Sequence, residues 1–336
     1  MLSPNHQRKI CLAPMMGVTN LHFRFLVRLI SKNCWLYTEM IPAAAIALGD
    51  KLHLLDFGKL ENPIALQLGG NNPKHMQITA KIAEKLGYDE INLNIGCPSP
   101  RTTAGGFGLC LLKTPDKVAE LVDAIKSQVN IPVTIKTRIG VDELNEKFHL
   151  ENFIGKVHLA GCNTFILHAR SGLLSGINPK KNRKIPNINY QMVYDIKRKF
   201  PHLEIIVNGA IASINGAKQH LDKVDGIMIG REFVSNIWFL KELECSLDFA
   251  SPNKDHQKAS IALNYLDYAC KKLNDEHSPN SPSSTISRSK LLSPLFSMFY
   301  GFMQAKKLRL FVSDAIQEKI SCSQLEKKIC AYLDNS

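Results

Sequence analysis

A rhythm in the chain limits the fold more than any other feature. From residue 10 to about 245, short apolar, β-branched runs alternate with longer stretches of helical patterning. The runs expected as strands are 10–13, 35–40, 64–68, 90–95, 133–137, 164–168, 204–207 and 226–229. Several are unbroken apolar runs, the pattern of parallel strands covered on both faces. Between them, 74–86 sets Ile78, Ile82, Ala83 and Leu86 on one helical face before a stop at Gly87. Thr114-Pro115-Asp116 opens a helix with the stripe Val118, Leu121, Val122 and Ile125, and 190–200 is similar, with Pro201 beyond. Eight such units predict an α/β fold of the (β/α)8 TIM barrel type. An open doubly wound sheet fits less well, since the first unit lacks a G-x-G-x-x-G turn. A barrel places functional residues at the C-terminal ends of its strands.

The composition shifts near residue 251. Ser251-Pro252-Asn253-Lys254-Asp255 reads as a linker, 277–289 as a Ser/Pro/Asn-rich loop, and 259–273, 291–302, 306–318 and 323–332 as helices. The expected organisation is a catalytic barrel over 1–250 and a small helical domain over 255–336.

Lys plus Arg number 42 against 30 Asp plus Glu, a net charge of +12. A polyanionic partner accounts for that excess, and so does a merely solubilising surface. No apolar run reaches the length of a membrane helix, and the start lacks signal-peptide order, so a cytoplasmic protein is expected. The nine cysteines are odd in number, scattered and without a C-x-x-C pair. That spacing suits neither a disulfide framework nor a zinc site, and most are expected as small buried hydrophobes in a reducing compartment. No metal cluster is expected: His53, His75, His149, His158, His202, His220 and His256 are scattered in polar context and read as surface residues.

The strand ends carry the chemistry. The first runs into Ala13-Pro14-Met15-Met16-Gly17, a loop able to lay backbone and an apolar side chain against a flat ring, or a simple turn. The third ends on Gln67, an amide that can donate and accept at once. The fourth, Asn92-Leu93-Asn94-Ile95-Gly96-Cys97-Pro98, sets a thiol just past a strand, with Asn92 and Asn94 on one face. Cys97 is the candidate nucleophile or general acid, and Cys110, heading an apolar run, the candidate core thiol. The fifth strand carries Lys136 and, two residues on, Arg138. A buried Lys needs an anionic partner, either a ligand or a carboxylate such as Glu39. His168 closes the sixth strand. Asn208-Gly209-Ala210 and Gly230-Arg231 follow the seventh and eighth, where barrels commonly hold a phosphate.

Together the segments APMMGVT, TEM, LQLGG, YDEINLNIGCPS, IKTRIG, HAR, NGA and GIMIGR resemble the tRNA-dihydrouridine synthases, in order and over essentially the whole chain. The likeness is closest to the A-type enzymes, through TEM, GFGLC and the basic segment from Asn178 to Pro186. The resemblance implies a flavin barrel followed by a helical tRNA-binding domain. It implies bound FMN with NADPH as reductant, and reduction of uridine in the tRNA D-loop at positions 20 and 20a. Pro14, Met15, Met16, Gln67, Lys136, His168, Asn208, Gly209, Ala210, Gly230 and Arg231 match FMN-contacting positions. Cys97 matches the proton donor and Asn94 the uracil pocket, while Lys180 and Arg183 fall in a loop expected to touch tRNA. The partner implied is tRNA, with no metal and no membrane, and a monomer is expected. Ala210 stands where the family has a second glycine, and 291–301 lacks the Arg or His usual just before that stretch. A flavin barrel acting on a free small molecule, of dihydroorotate dehydrogenase type, is the competing enzyme. A non-catalytic tRNA-binding module is the competing binding protein.

Overall fold

Parallel strands need crossovers, and the helical stretches between the apolar runs supply them. In the computed structural model, which describes residues 8–333 except 50, 145, 176, 179, 251–254 and 276–286, eight parallel strands form a ring. They are β1 (Ile10–Leu12), β2 (Leu36–Tyr37), β3 (Ile64–Gly69), β4 (Glu90–Ile95), β5 (Val133–Arg138), β6 (Thr164–His168), β7 (Glu204–Asn208) and β8 (Gly226–Ile229). β8 pairs with β1, and the ring closes through Trp35 N–H to Ile10 O and Leu12 N–H to Trp35 O, both 2.9 Å. The TIM barrel read from the sequence is therefore present. The second run is shorter than expected: pairing stops after Tyr37 and resumes at Ile41–Pro42, which also pairs with β3.

Side chains alternate along each strand, so every second residue enters the barrel. Cys11, Ala13, Trp35, Tyr37, Ala65, Ile166, Ile206 and Met228 form one buried cluster there. At the N-terminal ends of the strands, Arg8 pairs with Glu90 and Glu204, each at 2.8 Å, and lies 4.1 Å from the centre of the Trp35 ring. Burial pulls the Arg8 pKa down, but the two carboxylates outweigh it and hold the group above its ordinary value.

Several sequence expectations change. Of the face expected in the helix Pro73–Leu86, Ala83 is buried and Ile82 half-buried, whereas Ile78 and Leu86 are exposed, and Met76, Thr79 and Ala80 are buried in their place. Small residues allow close approach to the neighbouring helix Ala43–Ala47, where the Thr79 hydroxyl donates to Ala43 O at 3.1 Å. The stripe Val118, Leu121, Val122 and Ile125 is buried as expected. His220 is not a surface residue: it is buried, with Nδ1 2.7 Å from the Tyr194 hydroxyl and its ring against Tyr190. Cys11, Cys34 and Cys162 are buried, but Cys110, Cys245 and Cys330 are only partly so. Cys110 does stand beside buried leucines, in a 3-10 turn (Gly108–Lys113) that buries Leu109, Leu111 and Leu112, but its own thiol is only partly covered.

The chain divides into two compact units: residues up to Met16 with Cys34–Ile229, and Gly17–Asn33 with residues from Gly230 onward. The second unit contains helices Leu21–Ile30, Arg231–Ser235, Trp238–Ser246, Asp255–Asp275, Arg288–Leu292, Leu295–Met298, Ala305–Ile316 and Cys322–Leu333. Its core is built on Tyr265, Leu295, Phe299, Val312 and Leu325. Trp238 Nε1 donates to Met298 O and the Tyr265 hydroxyl to Leu291 O. Where one helix was expected over 291–302 there are two short ones, because Pro294 removes a backbone donor between them. Ser251–Lys254 of the expected linker and 277–286 of the expected loop lie outside the described residues. Ser287 caps the helix Arg288–Leu292, so the expected loop ends two residues earlier than read. Contrary to the cysteine arithmetic, Cys270 and Cys322 form a disulfide across two helices 52 residues apart. Linear spacing carries no information about which helix faces meet.

Candidate active site

The strand-end residues singled out in β3 to β7 meet at the C-terminal rim. In the ladder Gln67 stands beside Asn92, Asn94 beside Lys136, Arg138 beside His168, and His168 beside Asn208. Gln67 donates to Asn92 Oδ1 and accepts from Asn94 Nδ2, both at 2.8 Å. Asn94 Oδ1 accepts the backbone N–H groups of Gly96 and Cys97, at 3.1 and 2.9 Å. The loop carrying the thiol is thus pinned by a strand residue. Its other anchor is Cys97 O, which accepts from Leu109 N–H and the Thr102 hydroxyl. The Cys97 side chain is partly exposed.

Lys136 donates to Asn208 Oδ1 at 3.0 Å, and Asn208 in turn donates to Met228 O. The acceptor seen is thus an amide, where the sequence also allowed a carboxylate such as Glu39. Burial lowers the Lys136 pKa to about 7, the Arg138 charge adds to that, and Cys97 opposes it. The geometry therefore sets a cation among neutral amides, where an anionic ligand would complete it. Beside it, a Cβ at Gly209 would come within 2.9 Å of His168 Cδ2, so the bare glycine leaves the His ring its place. Gly209 O accepts from the Tyr190 hydroxyl at 2.6 Å. Ala210 adopts φ 50, a left-handed conformation that costs an L-residue roughly 1–2 kcal/mol.

Arg138 contributes more than its place on the Lys136 face suggested. It is 3% exposed and donates to Gly96 O (3.1 Å), Ser171 O (2.8 Å) and Asn182 O (3.1 Å). It ties the thiol loop to the segment holding Lys180 and Arg183. Burial lowers its pKa to about 10, with Cys97 opposing and Arg183 and Arg170 reinforcing the shift. The signal available in the sequence was two cations at i and i+2 in an apolar strand. Lys180 and Arg183 are exposed, and the fully buried Asn182 between them binds Leu173 through both N–H and C=O.

Pro14, Met15 and Met16 follow β1, with Met16 exposed. Gly230 and Arg231 follow β8 and belong to the second unit, where Arg231 opens a five-residue helix. Among the described residues no group of His, Cys, Asp or Glu is placed to hold a metal ion. The rim offers amides and a cation for the polar edge of a flat anionic ring, and a thiol on a fixed loop for proton transfer.

The family model for dihydrouridine synthase (Dus) matches residues 11–332. The chain belongs to the dihydrouridine synthase family. Among Dus relatives, the tRNA-dihydrouridine(20/20a) synthase of Shewanella oneidensis is 47% identical over 242 residues, 72% of each chain. The protein of that name from Synechocystis is 40% identical over 306 residues, 91% of this chain and 89% of that one. Its Escherichia coli K12 counterpart is 41% identical over 307 residues, 91% and 86% of the two chains. Among solved structures, a 2-naphthoyl-CoA reductase complex superposes with a TM-score of 0.54 at 9% identity, covering 70% of this chain. This Dus chain spans about half the length of that enzyme (50%), and the likeness is one of fold.

Proposed function

We propose that the protein reduces the C5–C6 bond of uridine to dihydrouridine in the D-loop of tRNA, at positions 20 and 20a. FMN is the bound cofactor and NADPH the reductant. The observation that carries this is the meeting of Cys97, Asn94, Gln67, Lys136, His168 and Asn208 at one barrel rim in a chain of the Dus family. The names of relatives at 40–47% identity support the tRNA substrate and its positions.

The residues fit the cofactor. The half-buried Lys136, held by an amide rather than a carboxylate, matches an anionic ring, and Gln67 and His168 match its polar edge. Pro14, Met15, Met16, Asn208, Gly209 and Ala210 complete the set that would hold it, while Gly230 and Arg231 rest on the family resemblance alone. When bound, FMN supplies the hydride that goes to C6 of the uracil ring.

The chain's own residues do the rest. Cys97 Sγ donates the proton to C5, and its backbone is fixed by Asn94 for that transfer. Lys136 offsets negative charge developing at the rim. Asn94 borders the base, and Lys180 and Arg183 meet the tRNA backbone. The target base must leave its stack, at a cost of about a few kcal/mol, which is smaller in a loop than in a duplex. This work is done in the cytoplasm by a monomer. No helix among the described residues is long and apolar enough to cross a membrane.

The test is incubation of the purified protein with NADPH and an unmodified tRNA transcript, followed by mass mapping of each uridine. The expected result is a gain of two hydrogens at positions 20 and 20a. A protein that leaves every tRNA uridine intact while oxidising NADPH with a free pyrimidine contradicts the proposal.

A further inference from the structure

A line of side-chain hydrogen bonds runs within the barrel from the Cys97 loop to the ion pair at the opposite end. Asn94 donates to Gln67, Gln67 to Asn92 and Asn92 to Thr134, each at 2.8 Å, and the Thr134 hydroxyl meets Glu90 Oε1. Gln67, Asn92, Thr134 and Glu90 are buried to 1% exposure or less.

The line has a direction. An amide has one donating and one accepting end, and a hydroxyl has one proton, so each link fixes the next. Glu90 is paired with Arg8 at 2.8 Å and, as a carboxylate, accepts only. Thr134 must direct its proton to Glu90, which leaves lone pairs for Asn92. Asn92 therefore turns its NH2 to Thr134 and its oxygen to Gln67. Gln67 turns its NH2 to Asn92 and its oxygen to Asn94. Asn94 then turns its oxygen to the N–H groups of Gly96 and Cys97. Reversing Asn94 would set an NH2 against two N–H donors. The charge at the N-terminal end of the barrel and the two N–H donors at the rim thus demand the same direction of every amide between them.

We propose that Glu90, Thr134 and Asn92 are positioning residues: they lock the orientation of Asn94, and through it the Cys97 backbone, so that the thiol is presented at the rim. The inference rests on the reading of Cys97 as proton donor, and none of the three touches the reacting atoms. Loss of the Thr134 hydroxyl frees Asn92 and Gln67 to turn, so the Asn94 NH2 loses its fixed acceptor and the side chain that pins the loop is held from one side only.

The experiment compares full-length, flavin-loaded wild type with Thr134→Val, Thr134→Ala and Thr134→Ser. Alanine covers the case in which valine against Glu90 prevents folding. Three readouts are taken: kcat and KM for tRNA, the alkylation rate of Cys97 by iodoacetamide followed by peptide mass, and hydrogen exchange at the peptide containing Gly96 and Cys97. For Val or Ala, kcat should fall about tenfold, the effect of one buried hydrogen bond, with KM little changed. Their Cys97 alkylation and loop exchange should be faster than in wild type, and Ser should restore all three. Wild-type alkylation and exchange in Val and Ala overturn the proposal, and so does a Ser variant as impaired as Val. If the wild type makes no dihydrouridine, the proposed function fails, while alkylation and exchange still decide the positioning role.

Discussion

Lys136 shows how one residue ties the fold to the chemistry. It is held in a strand with Arg138 two residues on and the amide of Asn208 as its acceptor. Its pKa falls from an ordinary 10.5 to about 7 in the folded chain, chiefly by burial. Below about pH 7 both folded and unfolded chains carry the proton, and the folded one bears the cost of burying it. Between about 7 and 10.5 the unfolded chain holds a proton the folded chain has released, so this residue's contribution improves as pH rises. In flavin-free protein, Lys136→Met should therefore raise the denaturation midpoint most at pH 6, with the advantage shrinking towards pH 10. An advantage that grows with pH would contradict the assignment. Lys136 was legible because a lysine interrupting an apolar strand is costly, and Cys97 because a thiol between Gly and Pro past a strand sits on a stiff loop. Arg138 as a clamp on three carbonyls of two loops was not legible, since Gly96, Ser171 and Asn182 are brought to it by tertiary structure alone. Nor was the direction of the amide line, which depends on strand register.

Among the elements, strands were read more truly than helix faces. Continuous β-branched runs mark a strand whichever way it points, and Glu90–Ile95, Thr164–His168 and Gly226–Ile229 lie where the pattern put them. A helix face is ambiguous when alanines compete with isoleucines. In Pro73–Leu86 the interior takes Met76, Thr79 and Ala80 beside the expected Ala83, and leaves Ile78 and Leu86 outside. Two substitutions separate the readings. Ile78→Ala, at a 45% exposed position, should change stability by less than about 0.5 kcal/mol. Ala80→Leu, at a fully buried position that the apolar pattern left off the face, should cost about 1–3 kcal/mol by overpacking. Chemical denaturation of both variants checks this, and the reverse ranking would restore the sequence-based face.

For the whole molecule, the charge of +12 leaves open whether the excess binds a polyanion or merely solubilises the chain. Salt separates the two. If tRNA is held through its phosphates, log affinity falls linearly with log salt, with a slope of about −0.7 to −0.9 per contact. Replacing Lys180 and Arg183 together by alanine should reduce that slope by roughly 1–2, as seen by filter binding or fluorescence across salt concentrations. An unchanged slope would remove that loop from the interface. The barrel and the following helices were legible along the chain. The grouping of Gly17–Asn33 with the C-terminal helices was not, because a segment inserted after β1 declares its partners only through contacts.

Everything at this rim turns on the proposed protonation of a uracil ring by the Cys97 thiol. The direct measurement is single-turnover formation of dihydrouridine by reduced, flavin-loaded wild type and Cys97→Ala on unmodified tRNA, with flavin content measured in both. The expected rate is lower by about 10²–10⁴ in the variant, with flavin binding unchanged. An equal rate in the two proteins would contradict it.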